Sequence, residues 1–172
     1  AAKDPGTKTT LPADDPAALK VERSADAGEW IAVVPAAGVE SGFRFAVTIR
    51  REDARAESGC GLGVRDAAGK TVVCLVTADR RQALYLVDAA GTWKFVRQFA
   101  GQTEPRTSCD AAKPGGERNR LTVAADGAGV GFDVNGSRIG TVNVRLTAPL
   151  SPVLVAGRGS TAVFRDAAVL PR

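Results

Sequence analysis

The residue types that break bonds are few in this chain, and they do not gather. Glu22, Glu29, Glu40, Glu52, Glu57, Glu104 and Glu117 each stand alone, mostly in segments that read as loops. Glycosidic hydrolysis with retention needs two carboxylates about 5 Å apart, one on each side of the bond. Glu52 and Asp53 are adjacent, so on a strand they would face opposite sides of the sheet. Histidine is absent, which removes the ordinary base for a serine or cysteine nucleophile. These residues predict no enzyme.

Metal and phosphate chemistry are equally poorly served. Cys60, Cys74 and Cys109 form no Cys-x-x-Cys pair, and without histidine zinc is not expected. Calcium needs converging oxygens, for which Asp14, Asp15 and Asp26 are the sequence candidates. They form no recognisable loop, so neither a metal nor a cofactor is expected. Gly157-Arg158-Gly159-Ser160 lacks the Gly-Lys-Ser/Thr ending and following helix of a phosphate loop, and reads as a turn. Gly59-Cys60-Gly61-Leu62-Gly63 leads into a strand rather than a helix, so it is not a dinucleotide fingerprint.

Binding is better supplied. Sugar recognition uses aromatic faces with planar polar groups beside them. Tyr85, Trp93 and Arg97, with Asn135 at a turn, are the candidate ligand-binding residues. Trp30 reads better as a core plug. Aromatic residues make up only 5% of the chain, and Trp93, Phe95 and Phe99 share one strand parity, so most are expected in a core.

The elements that must position these groups are strands. Phe43, Phe45, Val47 and Ile49 alternate with Arg44, Ala46, Thr48 and Arg50, the mark of a half-buried strand. Residues 71–77 (TVVCLVT) are apolar at both parities and predict a central strand covered on both faces. Asp126-Gly127 and Asn135-Gly136 punctuate the run from Asn119 to Asn143 as an antiparallel meander. Pro35, a turn at 38–42 and a charged loop at 52–58 separate the earlier strands. About eleven to thirteen short strands with almost no helix predict an all-β protein, a two-sheet antiparallel sandwich of jelly-roll type. Residues 1–16 read as a disordered tail or linker, with a short turn or helix capped by Asp15, and 17–172 as a single domain.

The long connection at 101–118 is expected to be functional or pinned. An alternating meander brings the start of strand 59–65 and the end of strand 93–99 to the same end of the sheet. Cys60 then lies near that loop and Cys74 mid-strand. A Cys60–Cys109 disulfide is expected, the alternatives being another pairing or three reduced core cysteines.

The totals set further bounds. The chain has 172 residues, is 44% hydrophobic, and carries a net charge of +4 from 23 basic and 19 acidic residues. The basic residues are scattered, so nucleic acid is not an expected partner. No apolar run approaches the ~18 residues of a membrane span. The absence of Met from Ala1-Ala2-Lys3-Asp4-Pro5 suggests a trimmed or mature product.

The strand order carries a resemblance. Residues 43–50 (GFRFAVTIR with Gly42 before and Arg50 closing), Asn119-x-Leu121-x-Val123, Phe132-Asp133-Val134-Asn135-Gly136 and Phe164-Arg165-Asp166 together resemble the concanavalin A-like jelly-roll superfamily over roughly residues 28–170. They are most similar to bacterial extracytoplasmic domains grouped with laminin-G-like and family-16-glucanase-like folds. The resemblance implies two antiparallel sheets packed face to face, one curved, with ligands on the concave face or at the loop rim. It implies a secreted or cell-surface module that recognises a glycan or cell-wall polymer, or a protein partner through the 101–118 loop. The Glu-x-Asp-x-x-Glu strand of the glucanases is missing here.

Overall fold

A computed structural model describes residues 6–34, 42–52, 59–126 and 128–170. The side chains of Trp30 and Val33, the turn expected at 38–42 save Gly42, most of the loop expected at 52–58, and Gly127 lie outside what is described. The described residues contain strands and no helix. One sheet runs β1 (Thr7–Thr10), β2 (Leu19–Arg23), β14 (Thr161–Leu170), β4 (Phe43–Arg51), β10 (Arg118–Ala125), β11 (Val130–Val134), β12 (Ser137–Val142). The other runs β3 (Trp30–Val33), β13 (Ser151–Ala156), β5 (Gly59–Arg65), β6 (Thr71–Thr77), β7 (Arg81–Val87), β8 (Trp93–Phe95), with β9 (Thr107–Ser108) also on β7. Every pairing is antiparallel. The expected all-β jelly-roll sandwich is what forms.

Period-2 alternation builds the core. Phe43, Phe45, Val47 and Ile49 of β4 turn inward with Leu121 and Val123 of β10 and Phe132 of β11. In-register pairing lines Phe45, Val123 and Phe132 across three strands. The opposite sheet answers with Cys60, Leu62 and Val64, Val72, Cys74 and Val76, and Leu84. The other parity of this second sheet is apolar as well: Val73, Leu75, Val87, Val153 and Val155 form a second cluster with Ile31, Tyr85 and Trp93 beside it. Hence β6 is buried at every position, as its sequence predicts.

Turn chemistry sets the registers. Asn135 and Gly136 sit at φ of 49° and 88°, joining β11 to β12 in the left-handed two-residue turn that matches strand twist. The Asp126 carboxylate accepts the amides of Ala128 and Gly129 at 2.8 and 2.9 Å, and these bonds hold its pKa below the usual range.

Two expectations are corrected. Residues 7–10, read as tail, form edge strand β1, which pairs with β2 from Thr7↔Arg23 to Thr10↔Lys20. Of the turn or helix expected after Asp15, the turn forms, with Ala18 N–H on the Asp15 carbonyl, and the chain goes straight into β2. Cys60 and Cys109 are not joined, and all three cysteines are buried without a disulfide. The sheet order β5-β6-β7-β9 puts three strand spacings, about 14 Å, between the strand of Cys60 and the one leading into Cys109. A disulfide spans far less.

The loop that the disulfide was expected to pin is held by hydrogen bonds. Cys109 N–H donates to the Arg80 carbonyl at 2.8 Å, and the Arg80 guanidinium donates to the Ala112 and Asp110 carbonyls at 2.8 and 2.9 Å. Asn119 brackets Lys113, donating to its carbonyl and accepting its amide. Asn135 Nδ2 donates to the Ala111 carbonyl and to Asn119 Oδ1 at 2.8 and 2.9 Å.

Candidate functional site

A cleft of about 450 Å³ opens on the outward face of the β3-to-β8 sheet. Its floor is Gly59 of β5, Leu75 and Thr77 of β6, and Ala83 of β7. The registers Gly59↔Thr77 and Leu75↔Ala83 place these residues side by side on one parity. Small residues at two of the four positions leave the floor low.

Aromatic rings make one wall. Tyr85 of β7 and Trp93 of β8 meet edge to face, ring centroids 5.3 Å apart and planes at 72°. The register explains the meeting: Val87↔Trp93 and Tyr85↔Phe95 set Trp93 diagonally across from Tyr85 on the same face. Both rings are half-buried, so apolar faces remain open to a ligand. Burial pushes the Tyr85 hydroxyl's pKa up; Arg106 opposes this and Glu29 adds to it. Arg106, half-buried just before β9, lies on the β7 side of the cleft; Glu29, exposed just before β3, follows the Ala156↔Trp30 pair and so lies on the β13 side, beside the turn at 157–160.

The far wall is the turn after β13. Gly157 N–H donates to the Gly59 carbonyl at 2.8 Å, and Ser160 Oγ donates to the Gly157 carbonyl at 2.6 Å. A Cβ on Gly157 would lie 2.5 Å from the Gly59 oxygen, so only glycine lets this turn sit against β5. Exposed Arg158 projects from it. Thr77 is already committed: its hydroxyl bonds the Asp79 carboxylate and accepts the Arg81 amide.

Of the residues proposed from sequence, Tyr85 and Trp93 come together here. Arg97 is exposed beyond β8 and is not among the lining residues; Asn135 sits on the other sheet with its amide spent on the Ala111 carbonyl and the Asn119 side chain. Glu29, Arg106 and Arg158 were not singled out as ligand groups. They lie far apart in sequence, and only pairings such as Val155↔Ile31 and Arg81↔Ser108 bring their segments to one face. The apolar outward parity of β6 and β7 was the one local signal of a covered or ligand-bearing face.

Chemically, the cleft offers an aromatic wall, two guanidinium groups and one carboxylate. Among the described residues lining it, Glu29 is the sole acid, whereas glycoside hydrolysis employs two. Among the described residues no group of three or more acid, cysteine or histidine side chains is placed to hold a metal ion. Among the described residues no helix is long and apolar enough to cross a membrane.

The fold is a two-sheet antiparallel β-sandwich of jelly-roll type. No family model matches the sequence, and no curated protein matches it. Solved structures do. A carbohydrate-binding module, CBM66 of Bacillus subtilis, superposes with a TM-score of 0.70 at 11% identity, over 96% of this chain and 92% of that one. A functionally unknown protein of Saccharomyces cerevisiae gives 0.60 at 12% identity, over 97% of both chains. Galectin LEC-6 of Caenorhabditis elegans gives 0.56 at 14% identity, over 84% of this chain and 96% of that one. At these identities the likeness is one of fold.

Proposed function

We propose that this chain is a non-catalytic glycan-binding module, with the sugar seated in the cleft against Tyr85 and Trp93. The observation that carries this reading is the cleft itself: an open aromatic pair with charged hydrogen-bonding groups at both ends, on a sandwich shared with a carbohydrate-binding module. Sugar rings present apolar C–H faces and a rim of hydroxyls. The aromatic wall meets the first, and Glu29, Arg106 and Arg158 meet the second. Glu29 without a second acid beside it suits holding a hydroxyl better than cleaving a glycosidic bond. The site of action that fits is outside the cytoplasm, where polymeric glycans are met.

The test is binding. Calorimetric titration against cell-wall and storage polysaccharides is expected to give saturable binding to at least one, weakened at least tenfold by Trp93→Ala, about 1.4 kcal/mol. Near-ultraviolet dichroism of the variant checks that the sandwich persists. Saturable binding that Trp93→Ala leaves unchanged, or no binding across the panel, sinks the reading.

A further inference from the structure

We infer that the cleft selects glycans bearing a carboxylate, the uronate class, and that Arg158 is the residue that recognises the acid. This rests on the glycan-binding reading above and names the ligand class for the same site.

Arg106 precedes β9, on the β7 side of the cleft. Arg158 stands at the other end, beside Gly59 of β5 and near Glu29 at the start of β3, while Trp93 belongs to β8. Three strand spacings separate β5 from β8, about 14 Å, a floor longer than one pyranose ring.

Arg158 also differs from the arginines that fold this chain. Arg138 pairs with Asp133, Arg165 with Asp15 and Arg50 with Glu52, while Arg80 and Arg120 donate to main-chain carbonyls. Arg158 is exposed and, among the described residues, has no hydrogen-bond or ion-pair partner. Yet its backbone is fixed, by Gly157 on Gly59, Ser160 on Gly157 and Gly159 N–H on the Ser24 carbonyl. A long cation on a rigid turn, unused by the fold and facing an aromatic wall, is placed for a ligand anion.

A carboxylate fits better than a hydroxyl. The guanidinium offers a planar fork that matches a carboxylate with two parallel bonds, and charge-assisted bonds are about twice as strong as neutral ones. The layout therefore orients the ligand: the acid-bearing ring toward Arg158, its neutral neighbour on Tyr85 and Trp93.

The experiment compares polygalacturonate and alginate with their carboxyl-reduced counterparts, which keep the polymer and lose the charge. Affinity electrophoresis and calorimetry are run on the wild type, Arg158→Gln, Trp93→Ala and Arg118→Gln. Arg118 is exposed on β10 of the other sheet, so its variant removes the same charge away from the cleft. The expected result is at least tenfold tighter binding of an acid polymer than of its reduced form. Arg158→Gln erases that preference, Arg118→Gln keeps it, and Trp93→Ala weakens both forms. Equal loss in Arg158→Gln and Arg118→Gln would show general cationic attraction and overturn the inference. So would equal binding of acid and reduced forms, or binding confined to neutral glycans, both of which leave the glycan reading standing. Binding to no glycan of any class overturns both.

Discussion

Tyr85 is the residue on which the site's electrostatics converge, and it is the only tyrosine in the chain. Its hydroxyl leaves water on folding, which disfavours the phenolate, and Glu29 adds to that effect while Arg106 opposes it. The pKa is therefore raised in the folded state. The neutral phenol's contribution to stability is complete below the unfolded value near 10 and is lost as pH rises through the folded value. Spectrophotometric titration at the phenolate band is expected to show one group ionising above the free-tyrosine range in native protein, and returning to it in denaturant. A normal native titration would mean that the ring is open to water and the cleft is not formed as described. The cysteines teach the reverse lesson. Cys74 and Cys109 are both pushed up by burial, and Cys109 adds to the shift at Cys74, so these thiols stay protonated at neutral pH. The sequence positions of Cys60 and Cys109 suggested a bridge because spacing says nothing about how many strands intervene.

Strand β5 shows what an element contributes beyond its side chains. Gly59, Gly61 and Gly63 alternate along it, and a Cβ at Gly61 would lie 1.7 Å from the Cys74 carbonyl oxygen of β6. At Gly63 the corresponding distance is 2.1 Å to the Val72 oxygen. The clash is with main chain in the middle of a sheet, which no rotamer change relieves. Gly61→Ala is expected to destabilise by about 3 kcal/mol or more, at the top of the range for overpacking. Gly28→Ala, where nothing lies within 4 Å, is the matched control and is expected to change little. Denaturant unfolding of both variants checks this; equal stability would mean that β5 and β6 pair at ordinary separation. These glycines were read from sequence as a strand rather than a nucleotide loop, and the strand is there. Their role in close approach was not legible, because it depends on the partner strand. The alternating runs of β4, β10 and β11 and the Asn135-Gly136 turn were legible because period 2 and turn chemistry are local. The arginines and Glu29 of the cleft were not, because three remote loops supply them.

At the scale of the molecule, the two ends of the chain have unequal weight. β14 lies between β2 and β4, with Phe164 opposite Leu19 on one side and Ile49 on the other. Val163 and Phe164 are each 2% exposed. Burying two such side chains stabilises by about 3–6 kcal/mol, comparable to the net stability of a whole domain, about 5–15 kcal/mol. Loss of β14 also removes the only inner neighbour of β2, so β1 and β2 leave with it. By contrast β1 is a four-residue edge strand, Thr-Lys-Thr-Thr, half-buried to exposed, and its side-chain ties are Lys8 to Glu22 and Thr7 to Arg23. An exposed ion pair of that kind is worth about 0–1 kcal/mol. Removing residues 1–10 is therefore expected to leave a folded sandwich whose Tm falls by a few degrees, about 2–4 °C per kcal/mol at this size. Removing residues 161–172 is expected to abolish cooperative unfolding and the near-ultraviolet signal of the tryptophans. Calorimetry and dichroism on the two truncations decide the matter. A cooperative transition that survives loss of β14 would mean that the β4-β10-β11 meander holds the first sheet unaided. Collapse on loss of β1 would mean that this polar edge closes the core, contrary to its burial.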